Sequence, residues 1–312
     1  MYPLIVTARE LPATFISALS AMAEVRIFDA TMPQESLRDA RIWLGTAVDP
    51  VSAQLIAEFP STLGLIANIG VGTDNIDLEA AAQAGIQVSN TPVVTEDTAD
   101  LTIALLMATC RRIGECERAL RSDDWAGGAS LLGRRVHGAT LGIIGFGAIG
   151  QAVARRAAGF SMKVIYHGPN RKTEAEMEIG ATYCSSLADL LKEADIVSLN
   201  CPLTKDTHHI INATRLQEFK PGAILINTGR GPLVDEAALV EALQSGQLGG
   251  AGLDVFEHEP AVTPELKNQP NVVLLPHIGS ATVACRQDMA ARVIANMRSF
   301  LDTGAVIDPC LP

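Results

Sequence analysis

Three short segments late in the chain place reactive side chains just beyond apolar, β-branched runs. ILINTGRG (Ile224–Gly231) carries Arg230, LDVFEHEP (Leu253–Pro260) carries Asp254, Glu257 and Glu259, and LLPHIGS (Leu274–Ser280) carries His277. If each run is a strand of one parallel sheet, an arginine, a carboxylate and a histidine reach the carboxyl edge at which doubly wound sheets hold their ligands. A guanidinium there supplies a local cation for an anionic ligand. Taken singly, Arg230 reads as an ion-pair former, Glu259 as a loop acid and His277 as a core histidine; it is their joint arrival that points to chemistry. His258, between two acids in a polar loop, is expected to be solvated. His208 and His209 are adjacent and should point apart, so no metal site is expected from them.

A second group of residues suits a dinucleotide. GFGAIG (Gly145, Phe146, Gly147, Ala148, Ile149, Gly150) follows the apolar run LGII and precedes the helical QAVARRAA. In this strand, turn and helix context the first glycine permits the tight turn, the second lets a pyrophosphate approach the backbone, and the third lets helix and strand pack. Free N–H groups at the helix start then receive the phosphates. The next strand end, where an NAD site carries an acidic residue for the ribose hydroxyls, reads Tyr166-His167-Gly168-Pro169-Asn170-Arg171-Lys172, with no carboxylate before Glu174. Asn170, Arg171 and Lys172 favour a 2′-phosphate, so NADP(H) is preferred, with NAD(H) an admissible second cofactor.

The elements that must position these groups alternate along the whole chain. Leu4–Thr7, Val25–Phe28, Ile42–Gly45 and Leu63–Ile69 read as strands separated by helical segments. A continuous helix is predicted from Glu96 to Arg121 with Thr95 as its cap. Six further strands follow: Leu141–Ile144, Val164–His167, Ile196–Asn200, Ile224–Asn227, Gly252–Asp254 and Val272–Leu275. The final helix, Ala281–Leu301, has no strand after it and is expected to return to the first half. The fold class is therefore α/β, with two doubly wound parallel-sheet domains: a flavodoxin-like one formed by residues 1–96 and 282–312, and a Rossmann dinucleotide-binding one formed by residues 97–281.

Bulk properties narrow the function classes. The chain has 312 residues, enough for two domains, with a formal net charge of −11 that argues against nucleic acid. No apolar run reaches the roughly 20 residues of a membrane span. The first residues lack a secretory pattern, so the cytoplasm is expected. The six cysteines show no paired spacing and read as reduced structural thiols.

Several ordered motifs, GVGTDNID (Gly70–Asp77), VSNTPVVTEDTAD (Val88–Asp100), GFGAIG, CPLTKDT (Cys201–Thr207), NTGRG (Asn227–Gly231), LDVFEHEP and PHIGS (Pro276–Ser280), make the chain similar to the D-isomer-specific 2-hydroxyacid dehydrogenase family. Within it the chain most resembles the NADPH-dependent glyoxylate/hydroxypyruvate reductases and the related 2-ketoaldonate (2-ketogluconate) reductases. The resemblance implies reduction of a small 2-keto acid to the D-2-hydroxy acid. It implies that Arg230 binds the substrate carboxylate and polarises the keto oxygen, that His277 donates the proton and that Glu259 tunes it. Gly70, Val71 and Gly72 would hold the substrate through backbone N–H groups, and Asp254 would orient the nicotinamide carboxamide. Cys201, Pro202, Thr207, Thr228, Gly229 and Gly279 are implied as further cofactor contacts. A homodimer built on the cofactor domain is also implied, with the Ser130–Leu132 loop reaching the neighbour's pocket. Formate dehydrogenases share the fold but carry glutamine where Glu259 stands. A phosphorylated substrate would want more cations than Arg230. A dinucleotide-sensing, corepressor-like binding protein is the alternative from another class.

Overall fold

Parallel strands buried on both faces need continuous apolar runs, and the first such run, Leu4–Thr7, is buried at every position. In the computed structural model, which describes residues 2–312, it is β1 of a sheet completed by β2 (Glu24–Ile27), β3 (Ala40–Thr46), β4 (Leu65–Ile69) and β5 (Gln87–Ser89). All pairings are parallel, in the order β2-β1-β3-β4-β5. This is the flavodoxin-like order. One face carries Leu4, Val6, Trp43 and Ile66; the other carries Ile5, Ile42, Leu44 and Leu65, packed with Val293, Met297 and Phe300. The last three lie on the helix Val283–Thr303, capped by Thr282, whose hydroxyl accepts from the Cys285 N–H at 3.0 Å. The closing helix thus returns to the first unit, made of the residues up to Val94 with Ala281–Pro312; the second unit is Thr95–Ser280.

The second unit is built on seven parallel strands: β6 (Thr140–Ile144), β7 (Lys163–His167), β8 (Thr182–Tyr183), β9 (Ile196–Leu199), β10 (Ala223–Asn227), β11 (Leu248–Leu253) and β12 (Val272–Leu274). Their order is β12-β11-β10-β9-β6-β7-β8. Counted from β6 this is the 3-2-1-4-5-6 Rossmann order with one strand added at the edge, and the order reverses between β6 and β9. Two apolar layers, one centred on Leu199, Leu225 and Leu253 and the other on Ile143, Val153 and Ile226, cover its faces.

The sequence reading missed β5 and β8, which have three and two residues. The long helix is also broken. It runs Thr95–Cys110, with Thr95 as a helical residue, and resumes as Ile113–Arg121, because Arg112 is left-handed at φ 53° and forks onto Glu115 at 2.8 and 2.7 Å. The Thr95–Cys110 helix lies close on β11: a Cβ at Gly252 would come within 2.6 Å of Thr109 Oγ1. Among the described residues no helix is long and apolar enough to cross a membrane.

Candidate active site

Backbone hydrogen bonds knit the three neighbouring strand ends of β10, β11 and β12. Asn227, the last residue of β10, donates from Nδ2 to the Arg230 carbonyl at 2.9 Å and accepts the Gly229 N–H on Oδ1 at 3.0 Å. Its own carbonyl accepts the Asp254 N–H at 2.9 Å. Gly231 lets this turn press against the loop after β11, since a Cβ there would lie 1.8 Å from the Phe256 carbonyl oxygen. Nothing larger than glycine fits without parting the two loops.

Asp254 governs the third loop. It is 1% exposed, and its two carboxylate oxygens accept the N–H groups of Ile278 and Gly279, each at 2.8 Å, while its carbonyl accepts the His277 N–H at 2.8 Å. These three bonds bracket His277 and hold it at φ 55°, a left-handed conformation that costs a non-glycine residue roughly 1–3 kcal/mol. Burial lifts the Asp254 carboxyl above its ordinary range, opposed by the N–H groups of Ile278 and Gly279 and by the charge of His277.

So placed, His277 presents Nδ1 to Glu259 Oε2 at 2.8 Å, and Glu259 Oε1 accepts the Phe256 N–H at 3.0 Å. A carboxylate on Nδ1 fixes the proton there and leaves Nε2 as the nitrogen that can act on a ligand. Burial pushes Glu259 upward, but the bonds from His277 and Phe256 and the charges of His277 and Arg230 outweigh it, leaving the carboxyl below its ordinary value. Glu259 is thus ionised throughout the neutral range. Arg230 is extended at φ −142° and ψ 144°, with its Nη1 donating to the Gly229 carbonyl at 2.9 Å. The structure brings Arg230, Glu259 and His277 onto three adjacent loops of one sheet edge, with the charge of Arg230 felt at Glu259.

At the strand where the order reverses, the three glycines have separate structural reasons. Gly145 has φ +93°, and a Cβ on it would come 2.4 Å from the Cys201 nitrogen, so the turn after β6 and the loop after β9 touch here. Gly150 packs against the Gly145 carbonyl, 2.2 Å from where a Cβ would lie, whereas no atom lies within 4 Å of the Cβ position at Gly147. An open backbone at the start of the helix Ala148–Ala158 is a fit for a pyrophosphate. Phe146 stacks on Tyr166 with ring centroids 3.9 Å apart. Cys201 is half-buried, and desolvation pushes its thiol up to about 11. Thr207 directs its hydroxyl to the Pro202 carbonyl and accepts the Thr204 N–H, both at 2.7 Å, which shapes its own loop. Thr228 bonds the hydroxyl of Thr102 at 2.8 Å.

The region after β7 contains a carboxylate that the strand-end reading passed over. Glu176, on the first turn of the helix Thr173–Ile179, folds back so that its Oε1 accepts from the Tyr166 hydroxyl at 2.6 Å. Its two oxygens also take the Nε and Nη2 of Arg171 at 2.9 and 2.8 Å. Nη1 of Arg171 is left outside this fork. Gly168 has no atom within 4 Å of its Cβ position, and the Lys172 N–H bonds to the Tyr166 hydroxyl at 2.7 Å.

His208 and His209 do not point apart. His209 is left-handed at φ 49°, which turns both rings to one side, with centroids 4.0 Å apart. In the first unit, the loop after β4 begins at Gly70, with φ +144° and its N–H on the Thr91 hydroxyl at 2.9 Å. The carbonyls of Val71 and Gly72 accept from Asn90 and Asn68, each at 2.8 Å, so side-chain amides hold the loop through its oxygens.

The signals that sequence reasoning passed over were local ones. Asn227 stood two residues before Gly229 in NTGRG, Gly231 closed the same motif, and Glu176 lay one turn into a helix whose packing no motif announces.

This architecture is that of a dinucleotide-binding oxidoreductase fold with a histidine, carboxylate and arginine at its ligand edge. Residues 103–279 match the family model described as D-isomer specific 2-hydroxyacid dehydrogenase, NAD binding domain. The chain belongs to the D-isomer-specific 2-hydroxyacid dehydrogenase family. It is 45% identical over 313 residues to a glyoxylate reductase of Thermococcus litoralis, covering 96% of this chain and 94% of that one. An NADPH-dependent glyoxylate/hydroxypyruvate reductase of Sinorhizobium meliloti, solved with NADP and malonate, superposes with a TM-score of 0.92 at 36% identity, over 99% of this chain and 97% of that one. A D-mandelate dehydrogenase of Rhodotorula graminis superposes with a TM-score of 0.89 at 30% identity, over 100% and 98% of the two chains.

Proposed function

We propose that this chain reduces a small 2-keto acid of the glyoxylate or hydroxypyruvate type to the D-2-hydroxy acid, using NADPH ahead of NADH. The observation that carries the reading is the His277–Glu259 hydrogen bond at 2.8 Å, on the same sheet edge as Arg230. Arg230 binds the substrate carboxylate and polarises the keto oxygen. His277 gives a proton from Nε2 to that oxygen, and Glu259, already ionised, holds the ring through Nδ1 at 2.8 Å. A bound reduced nicotinamide dinucleotide supplies the hydride. Gly145–Gly150 would hold its pyrophosphate, with Cys201, Pro202, Thr207, Thr228, Gly229 and Gly279 lining the remainder. Asp254 serves the carboxamide while clamping the His277 loop.

Support comes from the Thermococcus and Sinorhizobium relatives, whose names give glyoxylate, and in one case NADPH, as what those proteins use. For the cofactor, the open Gly168 and the Nη1 edge of Arg171 favour a 2′-phosphate, with Asn170 and Lys172 beside it, although Glu176 takes the other edge of Arg171. A homodimer is proposed on the exposed Trp125 and Leu132, which are 72% and 85% accessible beside a glycine-containing helix.

The test is loss of NADPH or NADH absorbance with glyoxylate, hydroxypyruvate, pyruvate and 2-ketogluconate. Fastest turnover is expected with glyoxylate or hydroxypyruvate and NADPH. Faster turnover of 2-ketogluconate would move the chain to the ketoaldonate reductases, and cofactor binding without any turnover would make it a dinucleotide sensor. Arg171→Ala should lower the NADPH:NADH preference by about tenfold, as expected for losing a charge-assisted bond of roughly 1.5 kcal/mol. An unchanged preference would remove Arg171 from the ribose site.

A further inference from the structure

Outside the catalytic trio, one group of side chains has the composition of a metal site. His208, His209 and Glu257 each offer a ligand atom, and the three atoms all lie within 4.8 Å of one another. Adjacent histidines do this only because His209 is left-handed at φ 49°. The turn is fixed by the backbone, with the His208 N–H on the Thr204 carbonyl at 2.9 Å, the His209 N–H on the Pro232 carbonyl at 2.8 Å and the Ile211 N–H on the Leu233 carbonyl at 3.0 Å. His209 Nε2 is already 2.7 Å from Glu257 Oε1. Glu257 is held in turn, its N–H donating to Glu236 Oε1 at 2.7 Å and its Oε2 accepting the Glu236 N–H at 3.3 Å. Glu236 is 5% exposed and also accepts from the Thr263 hydroxyl, so the carboxylate is backed by a buried, bonded partner.

Two imidazoles and one carboxylate form a donor set that suits Zn²⁺ and its substitute Co²⁺, with water completing the tetrahedron. Metal–nitrogen and metal–oxygen bonds of about 2.0–2.2 Å put donors in a tetrahedron roughly 3.3 Å apart. The accessible His208 ring and the partly exposed His209 and Glu257 give an ion a path from solvent.

We propose that His208, His209 and Glu257 bind one divalent cation of the Zn²⁺ type, tying the loop after β9 to the loop after β11. The site is separate from the trio, although Glu257 stands two residues before Glu259 in the same loop. The proposal does not rest on the substrate assignment, because its readout is metal binding.

The untagged full-length chain, stripped with a chelator, would be titrated with Co²⁺ while the visible d–d bands are followed, and with Zn²⁺ by calorimetry. One saturable equivalent is expected, with bands of tetrahedral intensity and a rise in Tm. Even partners behind a metal ligand are worth roughly 10–100-fold in affinity, so His208→Ala should weaken binding by at least about tenfold and abolish the Tm rise. His277→Ala should leave the titration intact. Absence of saturable binding, full affinity retained in His208→Ala, or loss of binding in His277→Ala would each overturn the proposal; the last would identify the catalytic histidine as the ligand.

Discussion

Glu257 and Glu259 are two residues apart in one loop, and each meets a histidine: His209 at 2.7 Å and His277 at 2.8 Å. The distances are nearly equal and the residue types the same; the ring nitrogen engaged, Nε2 in His209 and Nδ1 in His277, and the surroundings are not. His277 has its backbone bracketed by the buried carboxylate and carbonyl of Asp254, one ring nitrogen directed to a carboxylate that also feels Arg230, and the other left over. His209 has the ring of a second histidine beside it, tilted by 33°, and its carboxylate partner is bonded backwards onto Glu236. A histidine–carboxylate pair is thus common equipment, and its use is decided by what fixes the ring and what cation stands nearby.

The sharpest way to break this contrast is to remove each ring in turn. His277→Ala should lower turnover by a general-acid factor of roughly 10²–10⁴ while cofactor binding survives, and unchanged kcat would end its assignment as the acid. Arg230→Lys keeps the charge but loses the fork; KM for the keto acid should rise by about 10–100-fold, the equivalent of a charge-assisted bond of roughly 1.5–3 kcal/mol. A normal KM would mean that the carboxylate is bound elsewhere.

Glu259→Gln should reduce kcat by about tenfold or more and change the acid side of the pH profile. Because the folded carboxyl titrates below its ordinary value, the ionised pair stabilises the protein above that ordinary value and loses this as pH falls through the lower, folded one. Wild-type stability should therefore decline below about pH 4.5 more steeply than that of the variant, seen in Tm against pH. Equal slopes would show that Glu259 does not contribute in this way. The smallest effect is expected from His209→Ala, with kcat near normal in metal-free buffer and a stability loss of about 1 kcal/mol by urea unfolding. A collapse of kcat comparable with that of His277→Ala would erase the distinction between the pairs.

Much of this was legible in the chain. The strands that end just before Gly145, Arg230 and Asp254 announce themselves because they are largely buried on both faces and so read as apolar runs. Strands of two and three residues, β8 and β5, leave no such signal, so the Rossmann sheet was expected with six strands and has seven. Where the chain adopts left-handed conformations at non-glycine residues, sequence gave no warning. Arg112 broke a helix that propensity alone would continue, and His209 turned two neighbouring rings together. Glu176 shows a third limit, since a helix that packs back on its own strand delivers a side chain no strand-end rule anticipates.

Gly147 differs from its two companions in what keeps it a glycine. Its φ of −79° and the empty space around its Cβ position suit alanine, so the folded chain itself has no objection to a methyl group there. Only a ligand pressed against the backbone would object. If the proposed pyrophosphate lies there, the position is invisible to a screen for folding and visible to one for cofactor binding.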